Sequence, residues 1–343
     1  MTVLALRALG LGDALTGVAA LRGVRRAWPG HRLVLAAPQP VGQWLTDLGV
    51  VDAVLPTPGL TRLPWPWSGP GGAQDAPGCL AVNLHGSGPQ SHRVLQATRP
   101  DALIAFASPA AGHPGPAWDE HEHEVLRWCR LVSGVGGRCG PEDLRLGAAD
   151  APDAHDGPDA GRTRVVVHPG ASAGARRWPA PRWAQVVRAL VAQDCDVTLT
   201  GSRAEQRLCR RVRAAGPADG VRDDSGRLDL PALAGLVSRA HLVVSSDTGV
   251  AHLATAYGTP SVTLFGPTPP DLWGPAIDRS RHLVVWHGEP GAPPRDANAE
   301  RLDPALAQVT AEEVLAACEA ALRRPPAPAA GTTPPSGTAR PAT

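Results

Sequence analysis

The chain has 343 residues, with 33 basic and 32 acidic side chains and a formal net charge of +1. All 33 basic residues are arginine, which excludes chemistries that need an ammonium: Schiff-base and pyridoxal-phosphate catalysis and the P-loop. The balanced charge argues against a general nucleic-acid binder, and at about 100–200 residues per domain the length suits two domains.

Gly (38) and Pro (37) are abundant. With the missing lysine they fit GC-rich coding, so a single Gly or Pro is weak punctuation. The six cysteines form no C-x-x-C pair and mostly lie in apolar runs, as buried thiols of a reducing compartment do. No run approaches 18 apolar residues and the N-terminus lacks a signal-peptide pattern, so the expectation is a soluble, cytoplasmic protein.

In chain order, short β-branched or Leu-rich runs alternate with amphipathic segments, the pattern of βαβ units and a parallel sheet. The first half predicts strands at 3–9, 32–36, 53–56, 79–84 and 102–106. Its helices are predicted at 14–27, 41–48 and 122–133. Residues 60–77, rich in Pro, Gly and Trp, read as a long loop, a partly ordered flap carrying Trp65 and Trp67. Residues 147–162 hold almost no large apolar side chain and read as a linker. The pattern restarts with a strand at 163–170, a helix at 181–193, a strand ending near 201 and a helix at 203–215. It continues with a helix at 231–240, strands at 241–246 and 261–266 around a helix that begins at Gly249 or Val250, and a last amphipathic helix at 310–324. The Pro/Ala/Thr tail from 325 reads as disordered.

Three strand-to-helix turns carry candidate chemistry. The first, Gly10-Leu11-Gly12-Asp13, is not a dinucleotide fingerprint because Leu15 stands where the third glycine belongs. Asp13 is then either a helix cap or a general base at the carboxyl end of a parallel sheet. In the second, His168-Pro169-Gly170-Ala171-Ser172, small residues allow close backbone approach, and Arg176 and Arg177 offer guanidinium forks for a phosphate. The alternative is an ordinary loop with solvated arginines. The third is Ser246-Asp247-Thr248-Gly249-Val250-Ala251-His252, where amides of Thr248, Gly249 and Val250 at a helix start form a diphosphate seat. There Asp247 is expected to cap the helix, and His252 is either a site residue or a packed core histidine. His121 and His123 lie two apart in an acidic stretch, a solvated or acceptor-side helix start rather than a metal site.

Together, Gly12-Asp13, His168-Pro169-Gly170 with Arg177-Trp178-Pro179, and 246–254 followed by Phe265-Gly266-Pro267-Thr268-Pro269 resemble family 9 glycosyltransferases, the ADP-heptose:lipopolysaccharide heptosyltransferase group. The resemblance runs in order over about residues 1–325. It implies a GT-B fold, two Rossmann-like α/β domains with parallel sheets facing a central cleft. Residues 1–146 would bind the acceptor and 163–324 the nucleotide-sugar, with 147–162 between them, and the last helix would cross back to the first domain. The implied activity is inverting, metal-independent transfer of a sugar, heptose above all, from an ADP-sugar to a glycan or lipid-linked glycan, without a cofactor. Asp13 would be the base. His168, Gly170, Ser172, Arg177, Asp247, Thr248, Gly249, Val250 and His252 would hold the donor. Gly12, Trp65 and Trp67 would lie on the acceptor side, the tryptophans making any peripheral membrane contact of a monomer on the inner face of the membrane. Arg177 stands where the resemblance places a lysine before Trp-Pro. The competing readings are a GT-B-shaped sugar-nucleotide binder without catalysis and an epimerase or hydrolase of the same architecture.

Overall fold

The computed structural model describes residues 1–64, 78–147, 161–215 and 220–323. The first half builds strands β1 (Thr2–Leu6), β2 (Arg32–Ala37), β3 (Ala53–Pro56), β4 (Cys79–Asn83) and β5 (Ala102–Ile104). Its helices are α1 (Leu11–Thr16), α2 (Val18–Ala27), α3 (Gln39–Asp47), α4 (Gln90–Gln96) and α5 (Glu124–Ser133). The second half builds β6 (Thr163–His168), β7 (Cys195–Leu199), β8 (Val221–Asp223), β9 (Leu242–Ser246), β10 (Ser261–Leu264) and β11 (His282–Val285). Its helices are α6 (Ala180–Ala192), α7 (Gln206–Ala214), α8 (Leu230–Ser238), α9 (Gly249–Tyr257), α10 (Pro270–Trp273), α11 (Pro304–Gln308) and α12 (Ala311–Leu322).

The strands form two sheets, ordered β3-β2-β1-β4-β5 and β11-β10-β9-β6-β7-β8, and every pairing is parallel. Helices cover both faces, so the central strands read as continuous apolar runs; β1 and β9 are buried at every position. Strand order reverses once in each sheet, between β1 and β4 and between β6 and β9. The crevice beyond the carboxyl ends at such a reversal is where open parallel sheets take ligands.

One apolar cluster runs through both halves. It joins Val3 and Leu33 of the first sheet to Leu15 of α1, Leu253 of α9 and Val243 of the second sheet. Where α1 meets α9 the backbones touch: a Cβ on Gly249 would lie 2.9 Å from Leu11 Cβ and 3.0 Å from the Gly12 nitrogen. Two helix starts, one from each half, therefore stand back to back.

Several expectations change. The predicted helix at 14–27 starts earlier, at Leu11, and is broken at Gly17, whose N–H bonds to the carbonyls of Asp13 and Ala14. The last helix, α12, does not cross back to the first domain; it packs on α6 and on β9, β10 and β11, burying Val314, Cys318 and Ala321 in the outer core of the second half. Strands β8 and β11 and helices α4, α10 and α11 have no counterpart among the predicted elements. All six cysteines are free thiols, and all but Cys139 are buried. Among the described residues no helix is long and apolar enough to cross a membrane. Residues 65–77, most of the expected linker and the tail lie outside the described residues.

The α1–α9 contact is tested by Gly249→Ala, whose methyl meets backbone and so forces a shift costing about 1–3 kcal/mol in urea unfolding. Gly30→Ala, which meets nothing within 4 Å, stays within about 0.5 kcal/mol of wild type.

Candidate functional site

The carboxyl edges of the two sheets enclose a cavity of about 540 Å³. The turn after β1 enters it with Leu9 to Asp13, and the second half closes it with residues after β6, β9 and β10. Both strand-order reversals thus open into the same space.

Asp13 lies in the first turn of α1, and its carboxyl group lines the cavity without capping that helix. Burial raises its pKa; the charge of Arg7 opposes this, Glu124 adds to it and Arg176 lowers it. A carboxylate with a raised pKa and an open face is suited to taking a proton.

Facing Asp13 is a cationic seat. Helix α9 begins at Gly249 with Thr248 as its N-cap residue, and no side chain caps it. Its first N–H groups have no partner inside the helix and carry the positive end of the helix dipole. The Thr248 hydroxyl is buried without a partner, as is Arg176 Nε. The rest of the Arg176 guanidinium donates to the Asp247 carbonyl at 3.2 Å and to Ser172 Oγ at 2.6 Å. A guanidinium with a spare donor beside open helix amides is built for a multiply charged anion.

The two histidines of the site add no charge at neutral pH. Burial lowers the pKa of His168, whose Nδ1 lies 3.0 Å from Thr200 Oγ1. His252 is pushed down to about 4 by burial, with its ring set against Trp273 at 6.1 Å between centroids. The positive end of the cavity is therefore Arg176 and the α9 amides.

Of the residues singled out from the sequence, Gly12, Asp13, His168, Ser172, Asp247, Thr248, Gly249 and His252 all line the cavity. Three others do not. Arg177 points away, donating to the carbonyls of Ala171 (2.8 Å) and Ser172 (3.1 Å), and lines an adjoining cavity of about 490 Å³. Gly170 makes room for a protein side chain, since a Cβ there would lie 2.1 Å from Glu205 Oε1. Val250 is core, 3% exposed. Trp65 and Trp67 lie outside the described residues.

Two further expectations are corrected. Asp247 does not cap α9; it is buried in the cavity wall, where burial raises its carboxyl to about 6. The 119–124 stretch is a helix start, as expected, but of the two forms expected the solvated one does not hold throughout. His121 is exposed, but His123 and Glu124 are buried. His123 Nδ1 accepts the Val125 N–H at 3.2 Å and its Nε2 reaches the Gly274 carbonyl at 3.0 Å, tying α5 to the second half. Among the described residues no His, Cys, Asp and Glu side chains gather as a metal site.

Arg176, which the sequence offered as a phosphate fork beside Arg177, lines the cavity, and so do Glu205, Trp273 and Asn298, which the sequence reading did not single out. Glu205 had a local signal: with Ser202 it forms a capping box, its Oε2 accepting the Ser202 N–H at 2.7 Å. Asn298 had none, lying in an irregular loop.

A buried carboxyl with a raised pKa binds its proton more tightly in the folded chain than in the unfolded one. The stability this supplies is full below the unfolded pKa of about 3.9 and is lost as pH rises through the folded value of about 6. Asp247→Asn, free of that loss, should gain on wild type between pH 4 and pH 7 by an amount on the order of 2 kcal/mol, read from urea midpoints at the two pH values.

The chain is similar to known proteins over much of its length. Lipooligosaccharide heptosyltransferase 2 of Haemophilus influenzae is 31% identical over 126 residues, 35% of this chain and 36% of that protein. Lipopolysaccharide heptosyltransferase 3 of Escherichia coli is 29% identical over 161 residues, 46% of this chain and 47% of that protein. The chain thus matches about a third to a half of the length of these curated relatives. Among solved structures, E. coli ADP-heptose lps heptosyltransferase II superposes with a TM-score of 0.73 at 18% identity, covering 94% of this chain and 98% of that one. The family 9 glycosyl transferase of Veillonella parvula gives 0.75 at 16%, covering 94% and 97%. These likenesses establish the GT-B fold. The model of glycosyltransferase family 9 (heptosyltransferase) matches residues 116–300, more than half of the sequence, and the chain belongs to that family.

Proposed function

We propose that the chain is an inverting, metal-independent glycosyltransferase that moves heptose from ADP-heptose to a hydroxyl of a cell-envelope or other glycan. The observation that carries this reading is the single cavity in which Asp13, from the first half, faces Arg176 and the open start of α9, from the second. The division of labour follows: residues 1–146 hold the acceptor and 163–324 the donor.

In the step, Asp13 accepts the proton of the acceptor hydroxyl while that oxygen attacks the anomeric carbon from the face opposite the diphosphate. The bond from that carbon to the diphosphate oxygen breaks, and ADP leaves with the electron pair. Charge growing on the leaving oxygen meets the Arg176 guanidinium, Ser172, Thr248 and the first amides of α9, fixed donors that need no reorganisation. These groups take the part a divalent cation plays elsewhere, which supports the metal-independent form. Family membership supports the sugar; the relatives at hand are named as heptosyltransferases. The enzyme would act as a monomer in the cytoplasm, meeting a lipid-linked acceptor at the inner membrane surface through residues 60–77.

Melting curves with ADP, UDP and GDP test the donor half. ADP at a hundredfold excess over its Kd adds about 2.7 kcal/mol to the folded state, and no shift with any nucleotide would overturn the reading. Arg176→Ala should weaken ADP by about ten- to a hundredfold, the worth of a charged hydrogen bond, measured by calorimetric titration. Asp13→Asn should keep ADP binding while turnover of ADP-heptose, followed as ADP release, falls by about 10²–10⁴. Turnover within a few-fold of wild type would reduce Asp13 to a helix-start residue.

A further inference from the structure

Arg7, immediately after β1, is an arginine with 1% of its surface exposed. Its side chain crosses Gly17, where a Cβ would lie 2.7 Å from Arg7 Cδ, so the break between α1 and α2 is the space it occupies. The guanidinium donates from Nε to the Asp13 carbonyl and from one terminal nitrogen to the Leu84 carbonyl. The other terminal nitrogen donates to Thr16 Oγ1 at 2.8 Å and Glu124 Oε1 at 2.9 Å. Its face stacks on Trp128, 5.0 Å from the ring centroid. One planar fork thus binds α1, the end of β4 and α5 to each other.

We propose that Arg7 is a positioning residue for Asp13: it fixes the turn of α1 that carries the carboxylate and sets a permanent positive charge beneath it. The inference rests on the reading of Asp13 as the base. None of the four acceptors of Arg7 is the Asp13 carboxylate itself, so that carboxylate stays free for a proton while its backbone is clamped. Glu124 balances part of the charge, but its carboxylate also accepts from Arg127 (2.5 Å) and from the Trp128 indole (2.7 Å). The groups around the Asp13 carboxyl are therefore Arg7 after β1, Glu124 on α5, Arg176 and Asp247 from the second half, and the neutral imidazole of His252 on α9. His85, beside Leu84, is also uncharged at neutral pH, pushed down to about 4 by burial and by Arg7. Its Nδ1 accepts the Ala8 N–H at 3.2 Å. Burial drives the Asp13 pKa up and Arg7 is the largest opposing influence, so loss of the Arg7 charge raises it further.

Two variants of the full chain separate charge from geometry. Arg7→Gln removes the charge; Arg7→Lys keeps it but cannot span four acceptors with one ammonium. Asp13 is followed directly by ¹³C titration of its carboxyl, the signal identified by its absence in Asp13→Asn. ADP release from ADP-heptose is measured against pH alongside, with the ADP Kd as a control. In Arg7→Gln the Asp13 midpoint and the acid limb of kcat/KM both move to higher pH. In Arg7→Lys the midpoint stays near wild type while kcat falls about tenfold or more, and the ADP Kd changes less than about twofold. An unmoved Asp13 midpoint in Arg7→Gln, or wild-type kcat in Arg7→Lys, overturns the proposal. If Arg7→Gln does not fold, the lysine variant decides by the same kcat criterion at wild-type melting temperature and ADP affinity. If the wild-type chain does not turn over ADP-heptose, the functional reading fails, and the carboxyl titration by itself still decides for or against Arg7.

Discussion

The site depends on a contact between backbones. Gly249 at the start of α9 lies so close to Leu11 and Gly12 of α1 that a Cβ there would meet them at 2.9 and 3.0 Å. The start of α9 can press on Leu11 and the Gly12 nitrogen in this way only with glycine at 249. The contact brings the strand-order reversals of the two sheets to one place. It also explains why the Asp13 carboxyl from one half and the Arg176 guanidinium from the other share one cavity. The apolar cluster behind the crossing, from Val3 to Val243, holds that geometry with the largest favourable term available to a fold.

The charges around the crossing follow a different logic. Burying Arg7, Glu124 and Arg127 costs desolvation that their pairing barely repays, so such a cluster is weak grounds for stability. Its members instead do geometric work. Arg7 directs its donors to α1, the end of β4 and α5 through two carbonyls, a hydroxyl and a carboxylate, and Arg127 stacks on Trp118 at 4.2 Å while bonding the carbonyls of Asp119 and Glu122. These side chains act as braces for loops that have no regular hydrogen bonding of their own.

The fold was legible where strands are covered on both faces, because 3–6, 165–167 and 242–244 read as apolar runs just ahead of turns rich in Gly or Ser. It was least legible at the margins. Strand β8 is three residues, Val221–Asp223, with one apolar side chain. Strand β11 begins with a histidine after an arginine-rich turn. Helix α4 begins after Pro89 with no side-chain cap. At the site, the turns were readable but the direction of adjacent side chains was not. Arg176 and Arg177 sit on either side of the end of a short 3₁₀ turn, and only the backbone path sends the first into the cleft and the second outward. The pattern before Trp178-Pro179 points to Arg177, whereas the side chain that lines the larger cavity is Arg176. Glu124 looked like part of a solvated acidic stretch because its partner, Arg7, is more than a hundred residues away in sequence.

The buried carboxyl of Asp247 has a consequence for how the cavity responds to its contents. Asp13, Glu205 and Asp247 share the wall with one guanidinium, Arg176, so an anion in this cavity would meet carboxyl groups as well as the guanidinium. Burial holds the Asp247 carboxyl up at about 6, within reach of neutral pH. An adjacent anion raises it further by simple repulsion. Occupancy by an anion is then coupled to uptake of a proton from solvent, and departure of the anion returns it. The chain would exchange protons with its surroundings as the cavity fills and empties, quite apart from any proton that the chemistry itself moves.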